Sequence, residues 1–347
     1  MQQQSTIVQQ QSTMIQQQSM ITQLNATVAA HNSTMSMLIS TKGQGQPSGF
    51  VPANEYSREK LGFMFNGTIR TIDIMGDAGS YTSLALTTAG FPVISYYDTT
   101  NQDLKLAVCA DATCSSTTTI RTIDSTGVVG LHTSLALTTP GFPIMSYYDR
   151  TNGDLKLAVC ADATCSSGTT IRTIDSAGDV GYFTSLALTT AGVPVISYFD
   201  ETNDDLKLAV CAGATCSSGT TIRTIDSTGS IGPYTSLALT AVGFPIISYL
   251  DETNGDLKLA VCADATCSSG TTIRTIDSVG VVGYYTSLAL TTAGFPIISY
   301  HDVTNHNLKL AVCADATCSS GTTIRTIDSA GDVGYYTSLA LTTAGFP

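Results

Sequence analysis

Apolar and polar residues alternate with a period of two over short stretches of this chain. In Asp103–Cys109, Leu104, Leu106 and Val108 fall on one side and Lys105, Ala107 and Cys109 on the other, the spacing of a β-strand. Three further segments of six or seven residues share its content of Ile, Val, Leu, Thr and Tyr, and three of the four alternate in this way: Thr-Ser-Leu-Ala-Leu-Thr-Thr, segments of the type Ile-Ile-Ser-Tyr-Tyr-Asp, and Thr-Ile-Arg-Thr-Ile-Asp. Turn chemistry separates them, as Gly-Phe-Pro, Asp-x-Thr-Asn-x-Asp and Cys-Ser-Ser-Gly, residues that accept tight backbone angles or bond to their own backbone. No helical apolar stripe free of Gly or Pro runs through this region, so strands are expected and helices are not.

The set of four returns at a fixed interval. Thr-Ile-Arg-Thr-Ile-Asp ends at Asp73, Asp124, Asp175, Asp226, Asp277 and Asp328, each 51 residues after the last, with no insertion or deletion. Four strands per unit of roughly 50 residues predict the blade of a β-propeller. A lone four-stranded unit leaves both faces exposed, and stacking on neighbours buries them, which accounts for the same apolar positions in every copy. A β-solenoid is the other all-β array considered; its coils are shorter and lack four hairpin-like turns per period. The expected fold is therefore all-β, a propeller of about six four-stranded blades over residues 68–347, the last incomplete. For that blade the chain offers an outer strand at Thr68–Asp73 and an inner strand at Thr337–Thr343, then stops at Pro347 within a hairpin. Unpaired strand edges are avoided in natural sheets, so the sequence is read as truncated there.

Residues 1–41 follow a different pattern and contain no Asp, Glu, Lys or Arg. Ile7, Met14, Ile21, Val28 and Met35 recur every seven residues, with Gln10, Gln17, Leu24, His31 and Leu38 at the complementary positions. The heptad predicts a helical coiled-coil stalk that would make a homo-oligomer; the Gln content equally describes a disordered, low-complexity tail. Residues 42–67, with Gly-Gln-Gly-Gln-Pro-Ser-Gly, read as a linker.

The string Thr-Ser-Leu-Ala-Leu-Thr-Thr-Ala-Gly-Phe-Pro-Ile-Ile-Ser-Tyr-His-Asp from Thr286 onwards resembles secreted bacterial repeats of similar length. It is similar to the six-bladed propellers of the fucose-specific lectin group and, more distantly, to sialidase-like propellers. The resemblance covers residues 68–347 and implies the propeller fold.

Composition narrows the function. With 43% hydrophobic and 12% charged residues, the chain is outside the range of disordered proteins. A net charge of −12 argues against nucleic acid as a partner, since phosphate binding needs clustered cations. No run of apolar residues is long enough for a membrane-spanning helix, and no secretory signal is visible. The ten cysteines form five Cys-x4-Cys pairs, Cys109/Cys114, Cys160/Cys165, Cys211/Cys216, Cys262/Cys267 and Cys313/Cys318, each expected to bracket the connection between the third and fourth strands of a blade. Across a hairpin loop such residues come within disulfide range. Zinc wants four ligands where one pair supplies two, so disulfides are expected and metal is not. Disulfides imply an oxidising compartment, hence an extracellular, cell-surface or virion-surface location.

Strand order sorts the loops. The Gly-Phe-Pro turns and the Cys loops share one face; the Asp-x-Thr-Asn-x-Asp turns and the links between blades share the other. The second face carries the candidate ligand-binding residues. Tyr81, Tyr234 and Tyr285, in a class with His132, Phe183 and Tyr336, could stack on sugar rings. Asp98, Asp149, Asp200, Asp251 and Asp302, with Asn101, Asn152, Asn203, Asn254 and Asn305, could take hydroxyls. The competing structural readings are packing between blades for the rings and Asx-stabilised turns for Asp and Asn; Ca²⁺ ligation by the same oxygens is a third. Arg70 and its copies, on the outermost strand, are expected to cover the rim and pair with Asp.

Catalysis needs a unique constellation in one pocket. Here nearly every polar residue recurs, and His132, His301 and His306 stand singly without a matching partner set. The sequence is therefore read as no enzyme, with no catalytic residues and no cofactor. Two functions remain: a binding or adhesion propeller that recognises glycans or another cell-surface polymer multivalently, or a structural appendage or fibre subunit without a small ligand.

Overall fold

The computed structural model describes residues 69–347; the heptad segment 1–41 and the linker 42–67 lie outside the described residues. The described chain is all-β, five four-stranded antiparallel sheets in the order of a simple meander. In blade 1, β1 (Ala78–Leu86), β2 (Pro92–Asp98), β3 (Asp103–Cys109) and β4 (Thr118–Asp124) pair in sequence. Blades 2 to 5 repeat this over 129–175, 180–226, 231–277 and 282–328. No helix among the described residues is long and apolar enough to cross a membrane.

Stacking explains why the middle strands of a blade are buried on both sides. Ile144, Leu155 and Leu157 of blade 2 pack against Val180, Ile196, Tyr198 and Ala209 of blade 3, and equivalent residues fill the other three interfaces. The blades also share hydrogen bonds along their first strands. Leu135 N–H donates to Ser83 Oγ at 3.0 Å, and the bond recurs from Leu186 to Ser134, Leu237 to Ser185, Leu288 to Ser236 and Leu339 to Ser287 at 2.9–3.0 Å. These strands meet around a common axis, while the fourth strands form the rim. Close approach demands glycine at one point: a Cβ on Gly130, at φ +100°, would stand 2.6 Å from Leu104 Cα of the preceding blade, far inside van der Waals contact.

Every first strand except one is nine residues long; in blade 4 it shrinks to Ser236–Leu239. Pro233 occupies the place of Ser80, Leu131, Tyr182 and Tyr284 in the other complete copies. It has no N–H for the ladder, leaving one isolated bridge between Ile231 and Asp251.

The segments expected as strands of a further blade form none: residues 69–73 and 337–343 lie outside any sheet. A strand is defined by its ladder partners, and neither segment has one among the described residues. Each still docks on its neighbour. Asp73 accepts Tyr96 Oη at 2.7 Å as Asp124 accepts Tyr147 Oη at 2.6 Å, and Leu339 keeps its bond to Ser287. The first strand of blade 1 is correspondingly open, with Leu84 and Leu86 61% and 60% exposed.

All five Cys-x4-Cys pairs are disulfides within their own blade: Cys109–Cys114, Cys160–Cys165, Cys211–Cys216, Cys262–Cys267 and Cys313–Cys318, with Cα–Cα 4.9–5.0 Å. The pairing is as expected, but the setting corrects the expectation of a clip across the hairpin. Opposite Cys109, Cys211 and Cys262 the ladder places Thr118, Thr220 and Thr271, not a cysteine. Cys114, Cys165, Cys216, Cys267 and Cys318 lie inside the connection, outside any strand. The reason is reach: a cysteine five positions on falls short of a ladder partner nine positions on, so the chain must turn back within the loop. It does so with a left-handed backbone at each second cysteine, φ 47–52°. A turn bond from that residue's N–H to the carbonyl three residues earlier, at 3.0–3.2 Å, closes the turn, geometry that β-branched or larger residues adopt reluctantly. The disulfides fit an extracellular protein.

The rim arginines also depart from expectation. Arg121, Arg172, Arg223, Arg274 and Arg325 are exposed, and none makes an ion pair among the described residues. Asp124, Asp175, Asp226 and Asp277, which close the first four of these strands, bond instead to Lys and Tyr of the following blade.

Candidate functional site

In four of the five blades the first strand carries a bulge at the aromatic position before Thr-Ser. In blade 3, Ser197 pairs with Ser185 and Phe199 with Tyr182, so Phe183 and Thr184 stand where one residue would fit. Six successive copies at this position have a left-handed backbone: Tyr81 (φ 51°), His132 (53°), Phe183 (51°), Tyr234 (56°), Tyr285 (52°) and Tyr336 (50°). For bulky residues this conformation is strained by about 1–3 kcal/mol each, and bulges of this kind re-aim a side chain. The neighbouring blade holds it in place. Thr184 Oγ1 donates to the His132 carbonyl at 3.1 Å and Thr337 Oγ1 to that of Tyr285 at 2.7 Å. The hydroxyls of Thr133, Thr184, Thr235, Thr286 and Thr337 each bond to the Ser of the preceding blade's second strand at 2.7–3.1 Å.

The result is an arc of rings, each touching the next. Centroids are 4.4 Å apart from Tyr81 to His132, 4.5 Å to Phe183, 4.4 Å to Tyr234, 4.6 Å to Tyr285 and 4.4 Å to Tyr336, all tilted, a favoured arrangement for aromatic pairs. Packing between blades and lining of the axis are thus the same arrangement. Burial holds the Tyr234 and Tyr285 hydroxyls above their ordinary pKa, so they are neutral donors at physiological pH. Burial among the rings also lowers His132 to about 4, leaving the arc uncharged.

A cavity of 1010 Å³ opens beside this arc, between the first strand of blade 1 and residues 336–340. Tyr81, Tyr234, Tyr285 and Tyr336 face it, with the hydroxyl-bearing Ser83, Thr286, Thr337 and Ser338 and the apolar Leu84 and Leu86. No charged side chain lines it. The expected rings Tyr81, Tyr234 and Tyr285 are therefore brought together in one place. Tyr336 and the Thr-Ser hydroxyls belong with them; their signal in the sequence is the Thr-Ser that follows the aromatic in every copy.

The carboxylates go elsewhere. Asp98, Asp149, Asp200, Asp251 and Asp302 are buried, at most 1% exposed, and none lines the cavity. Asp98 Oδ1 accepts the N–H groups of Thr100 and Asn101 at 3.0 and 3.1 Å, and Oδ2 accepts Asn101 Nδ2 at 2.8 Å, an Asx turn. The amides of Asn152, Asn203, Asn254 and Asn305 bond to their own Asp in the same way at 2.8–3.0 Å.

The unforeseen partner is lysine. Lys105 Nζ sits 2.8 Å from Asp98 Oδ2 and 3.3 Å from Asp73 Oδ2, and Lys156, Lys207, Lys258 and Lys309 bridge their two carboxylates at 2.6–3.7 Å. Burial by itself would raise the Asp98 carboxyl; Lys105 and the Asn101 side-chain and backbone donors outweigh it and hold the group at about 2. Each interface is stitched by a Lys between one carboxylate of its own blade and one of the blade before. The sequence signal is a Lys in an otherwise apolar strand in all five copies.

No protein-family model matches the sequence, and no curated protein does. Solved structures are similar in fold. One is a protein of unknown function from Dyadobacter fermentans, 11% identical, TM-score 0.52, covering 73% of this chain and 83% of that one. Others are an α-L-arabinofuranosidase from Lactobacillus brevis, 10% identical, TM-score 0.42, covering 75% and 94%, and the Hadza microbial sialidase Hz136, 13% identical, TM-score 0.48, covering 75% of this chain and 60% of that one. At such identities the likeness speaks to the fold alone. It does correct the expectation that the chain is no enzyme. Proteins named as an arabinofuranosidase and a sialidase are among its structural neighbours.

Proposed function

We propose that this chain is a glycan-binding propeller exposed outside the cytoplasm, related to the secreted bacterial repeats of the fucose-lectin and sialidase-like group. Its site is the axial cavity, where Tyr81, Tyr234, Tyr285 and Tyr336 offer ring faces and the Thr-Ser positions offer hydroxyls. The observation that carries the reading is the arc of six aromatic-class residues held in a strained left-handed backbone at one repeat position. Such strain persists where surrounding structure enforces it and concentrates at ligand sites. The lining without charge suits a neutral, polyhydroxylated ligand, with apolar surface to bury and a few polar groups to orient it. Because the rings converge, each chain has one such site. Multivalency then comes from several chains, which is the role assigned to self-association through residues 1–41.

The test uses the full chain on a panel of immobilised neutral oligosaccharides, with Tyr81→Ala and Tyr336→Ala as variants. These two rings end the arc and are 43% and 75% exposed, so of the six they contribute least to the packing between blades. Binding by the unmodified chain that falls at least about tenfold in both variants, with an unchanged melting temperature, supports the site. Binding that survives both substitutions, or none at all across the panel, refutes it.

A further inference from the structure

Blade 5 departs from its sister copies at two neighbouring positions. His301 stands where the other blades have Tyr97, Tyr148, Phe199 and Leu250; His306 stands where they have Gln102, Gly153, Asp204 and Gly255. The sequence presents these histidines as singletons, but the fold brings them together with Asp332 on the link that follows the blade. His301 Nε2 lies 3.8 Å and His306 Nδ1 3.1 Å from Asp332 Oδ1, and one donor atom from each residue lies within 4.8 Å of the other two. It is the only such group among the described residues.

A second observation is independent of that proximity. The His301 side chain is 1% exposed, yet neither ring nitrogen has a hydrogen-bond partner. Buried polar atoms are nearly always satisfied, and an exception calls for a missing water or ion. Blade 2 shows what the repeat does otherwise: Tyr148 Oη donates to Asp179 Oδ1 at 2.6 Å. Histidine in that place is shorter, leaves a gap before the equivalent carboxylate, and points an unused nitrogen into it.

We propose that His301, His306 and Asp332 bind one divalent transition-metal ion of the zinc class, through two imidazole nitrogens and one carboxylate oxygen. Donors about 2.0–2.2 Å from a tetrahedral ion stand roughly 3.4 Å apart, so the observed 3.1 and 3.8 Å separations need shifts of only a few tenths of an ångström. Two nitrogens and one oxygen select Zn²⁺ and its neighbours rather than Ca²⁺, which takes an all-oxygen shell. Tyr335 Oη donates to Asp332 Oδ2 at 3.2 Å, orienting the carboxylate so that Oδ1 faces the histidines, as outer partners of metal ligands do. His306 and Asp332 are 56% and 53% exposed, which gives the ion a way in and leaves a fourth position to solvent. All cysteines of the repeats are in disulfides and do not compete.

The experiment is a calorimetric titration of the full, metal-free chain with ZnCl2 under non-reducing conditions, alongside a Co²⁺ titration read by visible absorption. The variants are His301→Phe, His306→Gly and Asp332→Val. Each installs a residue that another blade carries at that position (Phe199, Gly153 and Gly255, Val128 and Val281), so the fold tolerates it. The expected result is one Zn²⁺ per chain, the visible spectrum of low-coordinate Co²⁺, and at least about tenfold weaker binding in every variant. Absence of stoichiometric binding, or equal affinity in the variants, overturns the proposal.

Discussion

Lys207→Met is the most direct probe of what joins the blades. Lys207 Nζ lies 2.9 Å from Asp175 of blade 2 and 3.2 Å from Asp200 of its own blade, with its side chain 11% exposed. Tyr198 Oη donates to the same Asp175 oxygen at 2.6 Å. Methionine keeps the apolar stem and removes the charge, leaving two buried carboxylates with no cation between them. Breaking a buried pair by deleting one partner destabilises by about 3–5 kcal/mol. For a domain of this size that corresponds to a fall in melting temperature of about 5–9 °C. The loss also carries a pH signature. Burial tends to raise the Asp175 carboxyl, but Tyr198, Lys207 and the Ala177 N–H bring it below its ordinary value. That depressed carboxylate contributes stability above about pH 4 that is lost as the pH falls through its folded pKa. Without Lys207 the part of this contribution that its ammonium supplies is lost, so the gap between the two proteins should be widest near pH 7 and should narrow toward pH 3. Adding Asp175→Asn to the variant should recover part of the loss. Thermal denaturation followed by circular dichroism across this pH range reads all three effects. A gap below about 1 kcal/mol at pH 7, or one that does not change with pH, would refute the role given to the lysines.

Two further outcomes follow from departures from the repeat. His132 has a folded pKa of about 4 against roughly 6.5 unfolded, so its protonation opposes folding. Stability should be unaffected above pH 6.5 and fall by on the order of 3 kcal/mol as the pH drops toward 4; His132→Phe, the residue of blade 3, should flatten that slope, and an unchanged slope would contradict the assignment. In the Cys loops, Asp111, Asp162, Asp264 and Asp315 each accept several backbone N–H bonds, whereas blade 3 has Gly213 there. A Cβ on Gly213 meets only Ser218 Oγ at 3.6 Å, so Gly213→Asp should restore those bonds. It should raise the melting temperature, with about 0.4–1 kcal/mol from the removed glycine freedom alone; no rise would show that the loop carboxylate does not support the fold.

What the sequence determined was whatever depends on chain-local chemistry repeated without a gap. The period-2 pattern of Asp103–Cys109, the Asx chemistry of Asp98 and Asn101, and Cys pairs five residues apart each set a local geometry that neighbours hardly alter. Copied at a constant interval, such units stack into one array, so strands, turns, disulfide partners and the sorting of loops were all legible. The turn that places Cys114 and its copies inside the loop was not, because it depends on where the ladder ends. Tertiary structure decided whatever depends on which blade lies next. Lys105 shares a strand face with Ala107, and only the preceding Asp73 turns that position into a buried bridge. Residues 69–73 and 337–343 carry strand sequences, but a strand without ladder partners has nothing to satisfy its backbone. Tyr81 and its copies read as rings at the links between blades, on the candidate face; the bulge that turns them to the axis is held by threonines of the following blade. His301, His306 and Asp332 lie on a strand, a turn and a link, and such separations are closed only by folding, because contact through space is not encoded at any one of the three positions.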